Sequence, residues 1–322
     1  MTSPGVSAPV AGDTRASGAS RPPAAPGEGR PATPARQPAR GTTHRLARRI
    51  TRTAAAWLPA LPLLVFTLGM LVLPALRLVH DTFALRSGGY GMDNIAKVAD
   101  NPVDREAIVN SLELGALQAT LAAAIGMPAA WLISRMRVAG RATWLALMNV
   151  ASNFAGIGLA FGFVALIGTT GMLTHLLDVS FPATGSFTGM NIAYLYFNIP
   201  MFVLLTLPAM AVLKDDWWEA AQVCHANRWQ FWRRIGAPVL APFAAAGWLL
   251  IFTWTIGIYA VAYALASGPQ SVKLITLQIG ATLESSVFGL ERAAVLSVLL
   301  MLLAIVSTVL YRLAVRRATR WL

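Results

Sequence analysis

Residues 214–242 read KDDWWEAAQVCHANRWQFWRRIGAPVLAP and lie between two long apolar runs. Asp216 followed three residues later by Glu219 forms a candidate capping box, which predicts a helix from about Trp217. Asp215, Asp216 and Glu219 set negative charge at the positive end of that helix dipole. Ala220 and Ala221 are strong helix formers, and the helix is expected to stop at His225. Asn227 with Gln230 offers a second capping box, and Pro238 is expected to end the second helix. The stretch therefore spells a short helix, a turn and another short helix. Trp217, Trp218, Trp229, Phe231 and Trp232 crowd into it. Aromatics this dense in an aqueous loop need a surface: the ends of neighbouring helices, lipid headgroups, or a partner protein.

Working outward, six apolar stretches are read at about 56–79, 110–133, 143–166, 190–213, 239–263 and 293–311. Each approaches the ~20 residues a helix needs to cross a ~30 Å hydrocarbon core. Only Arg77 and Glu113 fall inside them, both near an end where a side chain can reach the interface. Composition agrees. The chain is 56% apolar and 12% charged, against ~25% charged in soluble domains.

Lys and Arg cluster in alternate loops. Arg45, Arg48, Arg49 and Arg52 precede the first stretch, and Arg135, Arg137 and Arg141 follow the second. Lys214, Arg228, Arg233 and Arg234 follow the fourth, and Arg312, Arg316, Arg317 and Arg320 the sixth. The positive-inside rule then places both termini in the cytoplasm. Residues 1–50, rich in Pro, Ala and Arg, read as a disordered basic tail, with a membrane domain over 55–318.

Several chemistries are excluded. The net charge of +12 flanks apolar spans and forms no nucleic-acid surface. One cysteine, Cys224, builds no disulfide framework, and the four histidines lack metal-ligand spacing. There is no G-x-x-x-x-G-K-[ST] phosphate loop, so this chain is expected to bind no cofactor and to hydrolyse no ATP. Within the third stretch, Gly156, Gly158, Ala160 and Gly162 are read as helix-packing positions, with a hinge as the alternative. Pro200 and Pro208 favour kinks in the fourth. Polar side chains in the spans, Asn149, Asn153, Tyr196, Asn198, Thr255, Tyr259 and Tyr263, are candidates for a solute pathway or for interhelical hydrogen bonds.

The stretch 214–242 resembles the EAA loop of binding-protein-dependent ABC importer permeases, whose pattern is roughly E-A-A-x-x-x-G-A followed by I-x-L-P. Glu219, Ala220, Ala221, Ala226, Ile235 and Pro238 stand at matching positions without a gap; His225 replaces the Gly and Ala237 the Leu. The resemblance runs over about 105–315, including Asn110-Ser111-Leu112 and Tyr196-Phe197-Asn198-Ile199-Pro200. Among such permeases the chain looks most similar to the polyamine, thiamine and iron type.

The resemblance implies an all-α membrane protein of the bacterial inner membrane, with six transmembrane helices and a cytoplasmic helix-turn-helix coupling loop. It also implies partners: a cytoplasmic ABC ATPase dimer carrying ATP and Mg, a second permease, identical or homologous, and an extracytoplasmic solute-binding protein. Glu219 would contact the ATPase, with Asp216 beside it and Ala220 and Ala221 allowing close approach. Gly suits the turn because it reaches a left-handed conformation without strain, and His enters that region more often than most residues. An ATP-independent transporter would predict inverted repeats or a mid-membrane acid. A membrane-embedded enzyme would need reactive residues at one depth. A non-transporting scaffold would leave the loop pattern without a reason.

Overall fold

The computed structural model describes residues 61–85, 88–168, 171–178, 181–266, 271–285 and 289–318. It divides into a unit Leu64–Leu322 and a segment Met1–Leu63, of which residues 61–63 alone are described. The basic tail expected over 1–50, and the beginnings of the first span and of the 55–318 domain, lie outside the described residues.

Among the described residues there is no β-strand; a single bridge joins Ala84 and Tyr90. Among the same described residues, six helices are long and apolar enough to cross a membrane. The first is α1, Leu61–Phe83, and a short α2, Asp93–Asp100, follows. Asn101 then caps α3, Pro102–Ser134, its side chain accepting from the Val103 and Asp104 amides, with Pro102 where its missing N–H costs nothing. This start lies eight residues before the one expected, because the cap is polar and the apolar run begins later.

The third stretch departs furthest from expectation. In place of one helix over 143–166 there are α4, Val138–Asn153, and α5, Ile157–Ile167, with α6, Met172–Leu177, beyond. Gly156 separates them at φ 121° and ψ −162°, a backbone open to glycine alone. The Ser152 and Asn153 side chains each donate to the Asn149 carbonyl, drawing off a bond that would continue the helix. A methyl at Gly158 or Gly162 would meet nothing within 4 Å, so these glycines make no close helix contact in this chain.

Close packing lies elsewhere. Helix α7, Phe187–Met210, is capped by Ser186 and packs on α3, with α10, Ala237–Gly257, against both. Phe202 of α7 is fully buried; its ring lies where a Cβ on Gly126 of α3 would come within 2.7 Å and one on Gly247 of α10 within 2.9 Å. Towards one end of the bundle, Ala130 and Ile133 meet Val203, Leu207, Met210 and Leu240. Towards the other, Leu114, Tyr194 and Phe197 pack with Leu159 of α5 and Val261 of α11, Ala260–Leu265.

Helices α12, Ile275–Ser285, and α13, Gly289–Ala318, close this second end. Asp104, fully buried, accepts two bonds from the Arg292 guanidinium of α13, at 2.5 and 2.7 Å. Asn110 donates to the Lys273 carbonyl and Ser111 accepts from the Ile275 amide, so the Asn110-Ser111 pair stitches α3 to the segment before α12. Helix α1, by contrast, buries only Thr82 and presents Leu63, Phe66, Met70 and Leu73 outward.

Candidate functional site

The 214–242 loop contains two helices, as the sequence predicts, with different ends. Helix α8 spans Asp215–Val223, two residues earlier than expected. Lys214 takes the N-cap position without a side-chain bond, so Asp216 lies inside the first turn and makes no capping box with Glu219. A cap is defined by its extended backbone, and that conformation falls at Lys214. Asp215 and Asp216 still set negative charge at the positive end of the helix dipole.

Helix α8 is closed off by His225, two residues past its last helical residue. Its φ of 53° is left-handed. The His225 amide donates to the Gln222 carbonyl at 2.9 Å, and the Ala226 amide donates to the Ala221 carbonyl at 2.9 Å. These two bonds are a Schellman closure with His225 in the place usually held by Gly. The expected second capping box is present: Gln230 N–H donates to Asn227 Oδ1 at 2.8 Å, and Asn227 N–H donates to Gln230 Oε1 at 3.0 Å. It starts α9, Arg228–Phe231.

Pro238 does not end this helix. A π-helical turn, Trp232–Gly236, follows α9 and runs straight into α10, with Pro238 in the first turn of α10. Proline lacks an N–H and crowds the carbonyl four residues back; the wider turn accommodates both, the Ala237 amide donating to Trp232 O instead. The span and the loop are thus one continuous helical stretch, Arg228–Gly257.

Helices α8 and α9 flank a groove of about 980 Å³ lined by Ala220, Ala221, His225, Ala226, Ile235 and Pro238 among others. The structure therefore brings together six of the eight loop residues singled out by sequence. Asp216 and Glu219 are exposed on α8 and line no part of it. What the sequence missed is how the loop is anchored. Arg135, at the end of α3, pairs with Asp215, and Trp131 meets Trp232 edge to face with centroids 5.6 Å apart. Trp218 packs likewise on Phe231. A Trp one turn before an Arg at the end of the second span is the signal that could have found this contact.

The candidate pathway residues divide. Asn198 is fully buried; its Nδ2 donates to Gln118 Oε1 at 3.2 Å and to Thr255 Oγ1 at 3.1 Å. Gln118 Nε2 in turn donates to Asn191. Asn198 and Thr255 thus join a polar chain linking α3, α7 and α10. Asn153, Tyr196, Tyr259 and Tyr263 are exposed on this chain, Tyr196 against Phe163 and Tyr259 against Tyr263.

Comparison with known proteins extends these observations. A family profile described as "Binding-protein-dependent transport system inner membrane component" matches residues 41–320. The sulfate transport system permease protein CysW of Synechocystis sp. is 24% identical over 255 residues, 79% of this chain and 90% of its own. The CysT counterpart of Escherichia coli is 30% identical over 165 residues, 47% of this chain and 58% of its own. In fold, the chain matches a bacterial ABC transporter involved in the import of the acidic polysaccharide alginate. The TM-score is 0.66 over 86% of this chain and 99% of that one, at 19% identity.

Proposed function

Because the chain belongs to the family of binding-protein-dependent transport system inner membrane components and is a membrane-spanning permease subunit of an ABC importer, we propose that its 214–242 loop is the element that couples it to a cytoplasmic ATPase. The observation that carries this reading is the groove between α8 and α9, with the EAA-type residues Ala220, Ala221, Ala226, Ile235 and Pro238 facing it and Glu219 exposed beside it. Alanines leave room for another backbone to approach, and the two caps keep the hairpin from fraying. ATP and Mg would sit on the partner. A dimer of ATPases would pull two such loops together and switch the membrane helices between inward and outward openings.

The same reading places both termini in the cytoplasm, on the positive-inside distribution, and adds a second permease and an extracytoplasmic binding protein. One alginate transporter structure is a complex with an alginate pentasaccharide-bound periplasmic protein, which supports the latter partner. The solute pathway is assigned to the exposed polar side chains of Asn153, Tyr196, Tyr259 and Tyr263. Its support is the break at Gly156: non-helical backbone at membrane depth is tolerated where it lines a water-filled cavity or is covered by protein, and Asn153, Phe154 and Ile157 are exposed there.

The test is co-expression with the ABC ATPase encoded beside the permease gene, followed by purification through a tag on the permease. Wild type should retain the ATPase, and Glu219→Lys should weaken retention by about tenfold or more, the scale of reversing one close interfacial charge. Wild type that retains no ATPase would sink the coupling reading of this loop.

A further inference from the structure

A second recess, of about 310 Å³, shares Phe231 with the groove. Trp131 and Arg135 at the end of α3 form one wall, and Asp215 and Trp218 of α8 another. Arg228 and Trp232 close it from the α9 side. We propose that this recess holds the phosphate headgroup of an anionic phospholipid.

Three observations carry the proposal. The first is depth. The recess opens where α3 and α7 end, so it lies where the spans leave the hydrocarbon, and its three tryptophans belong to the residue type that gathers at that boundary. The second is the chemistry of its walls. The Arg228 carbonyl accepts from the Trp232 amide, but its exposed guanidinium makes no hydrogen bond or ion pair among the described residues. Arg135 commits Nη1 to Asp215, which orients the guanidinium and leaves its other N–H donors free. Two guanidiniums across an aromatic recess suit a phosphodiester, which takes paired N–H donors.

The third is charge. Arg135, Arg137, Arg141, Lys214, Arg228, Arg233 and Arg234 stand against Asp215, Asp216 and Glu219 on the loops at this end, a surplus that attracts anionic lipid and leaves zwitterionic lipid indifferent. The headgroup braces α9 against α3, holding the hairpin at a fixed angle for its partner. The inference rests on the coupling reading only for which leaflet supplies the lipid.

The experiment uses the full-length permease without ATPase, so its outcome is independent of that reading. Protein purified with mixed phosphatidylglycerol and phosphatidylcholine is progressively delipidated and the retained lipid counted by native mass spectrometry. Wild type should keep phosphatidylglycerol preferentially, and Arg228→Gln should cut that preference about fivefold, the scale of one arginine near a membrane surface. Arg228→Lys should restore part of it. Equal retention of both lipids, an unchanged preference in Arg228→Gln, or displacement of the lipid by millimolar inorganic phosphate would each overturn the proposal. The last outcome would make this a site for free phosphate.

Discussion

At the scale of single residues, His225 shows how a substitution can keep a conformation while giving up its ease. The Schellman bonds are intact, yet a side chain occupies a left-handed φ of 53°. That conformation costs a non-glycine residue about 1–2 kcal/mol, less for polar residues that visit it readily. His225→Gly is therefore expected to stabilise the loop by up to about 1 kcal/mol, and His225→Val to destabilise it, read as shifts in thermal unfolding of the purified permease. The stop at His225 was legible from the helix formers before it and the capping box after it, while its left-handed backbone was expected only from the resemblance, in which Gly holds that place. Asp216 was not, since Lys214 takes the cap by backbone conformation alone. Asn198 was half legible. The sequence marks it as polar in a span, but whether it faces solute or another helix depends on Gln118 and Thr255, 80 and 57 residues away in the chain.

At the scale of elements, five of the six apolar stretches coincide over most of their length with one unbroken helix, although the second helix starts eight residues and the fifth eleven residues early, because burial in lipid is a property of composition while a helix start is set by its cap. The third does not. Its break depends on a backbone available to Gly156 and on side chains that bond the Asn149 carbonyl, and hydropathy registers neither. Helix contacts were equally hidden. Glycines that allow close approach include Gly126 and Gly247, on either side of Phe202, and Gly115 against Ile256, and no glycine-rich pattern announces them. Gly126→Val should overpack this seam and lower stability by about 1–3 kcal/mol. Adding Phe202→Leu should recover part of the loss in a double-mutant cycle. Additive losses would mean that the two side chains do not meet.

At the scale of the whole molecule, the end remote from the coupling loop is joined by groups far apart in the chain. Asp104 and Arg292 are 188 residues apart, and the carboxylate is fully buried. Arg292→Gln would leave that charge without its partner, at a cost of about 3 kcal/mol; the value lies at the low end for buried pairs because the Arg292 side chain is a third exposed. Thermal unfolding in detergent checks it, and unchanged stability would show that water reaches Asp104. No sequence pattern reveals such a pair, since each member alone is an ordinary charge near a helix start.

The unbroken run from Arg228 to Gly257 gives the molecule a lever. Its 30 residues make a rod of about 45 Å, and Gly247, pressed on Phe202, stands about 28 Å from one end and about 15 Å from the other. With that contact as fulcrum, a push on the loop end arrives beyond it reversed in direction and geared down roughly two to one. The loop must then travel farther than the far end opens, trading distance for force.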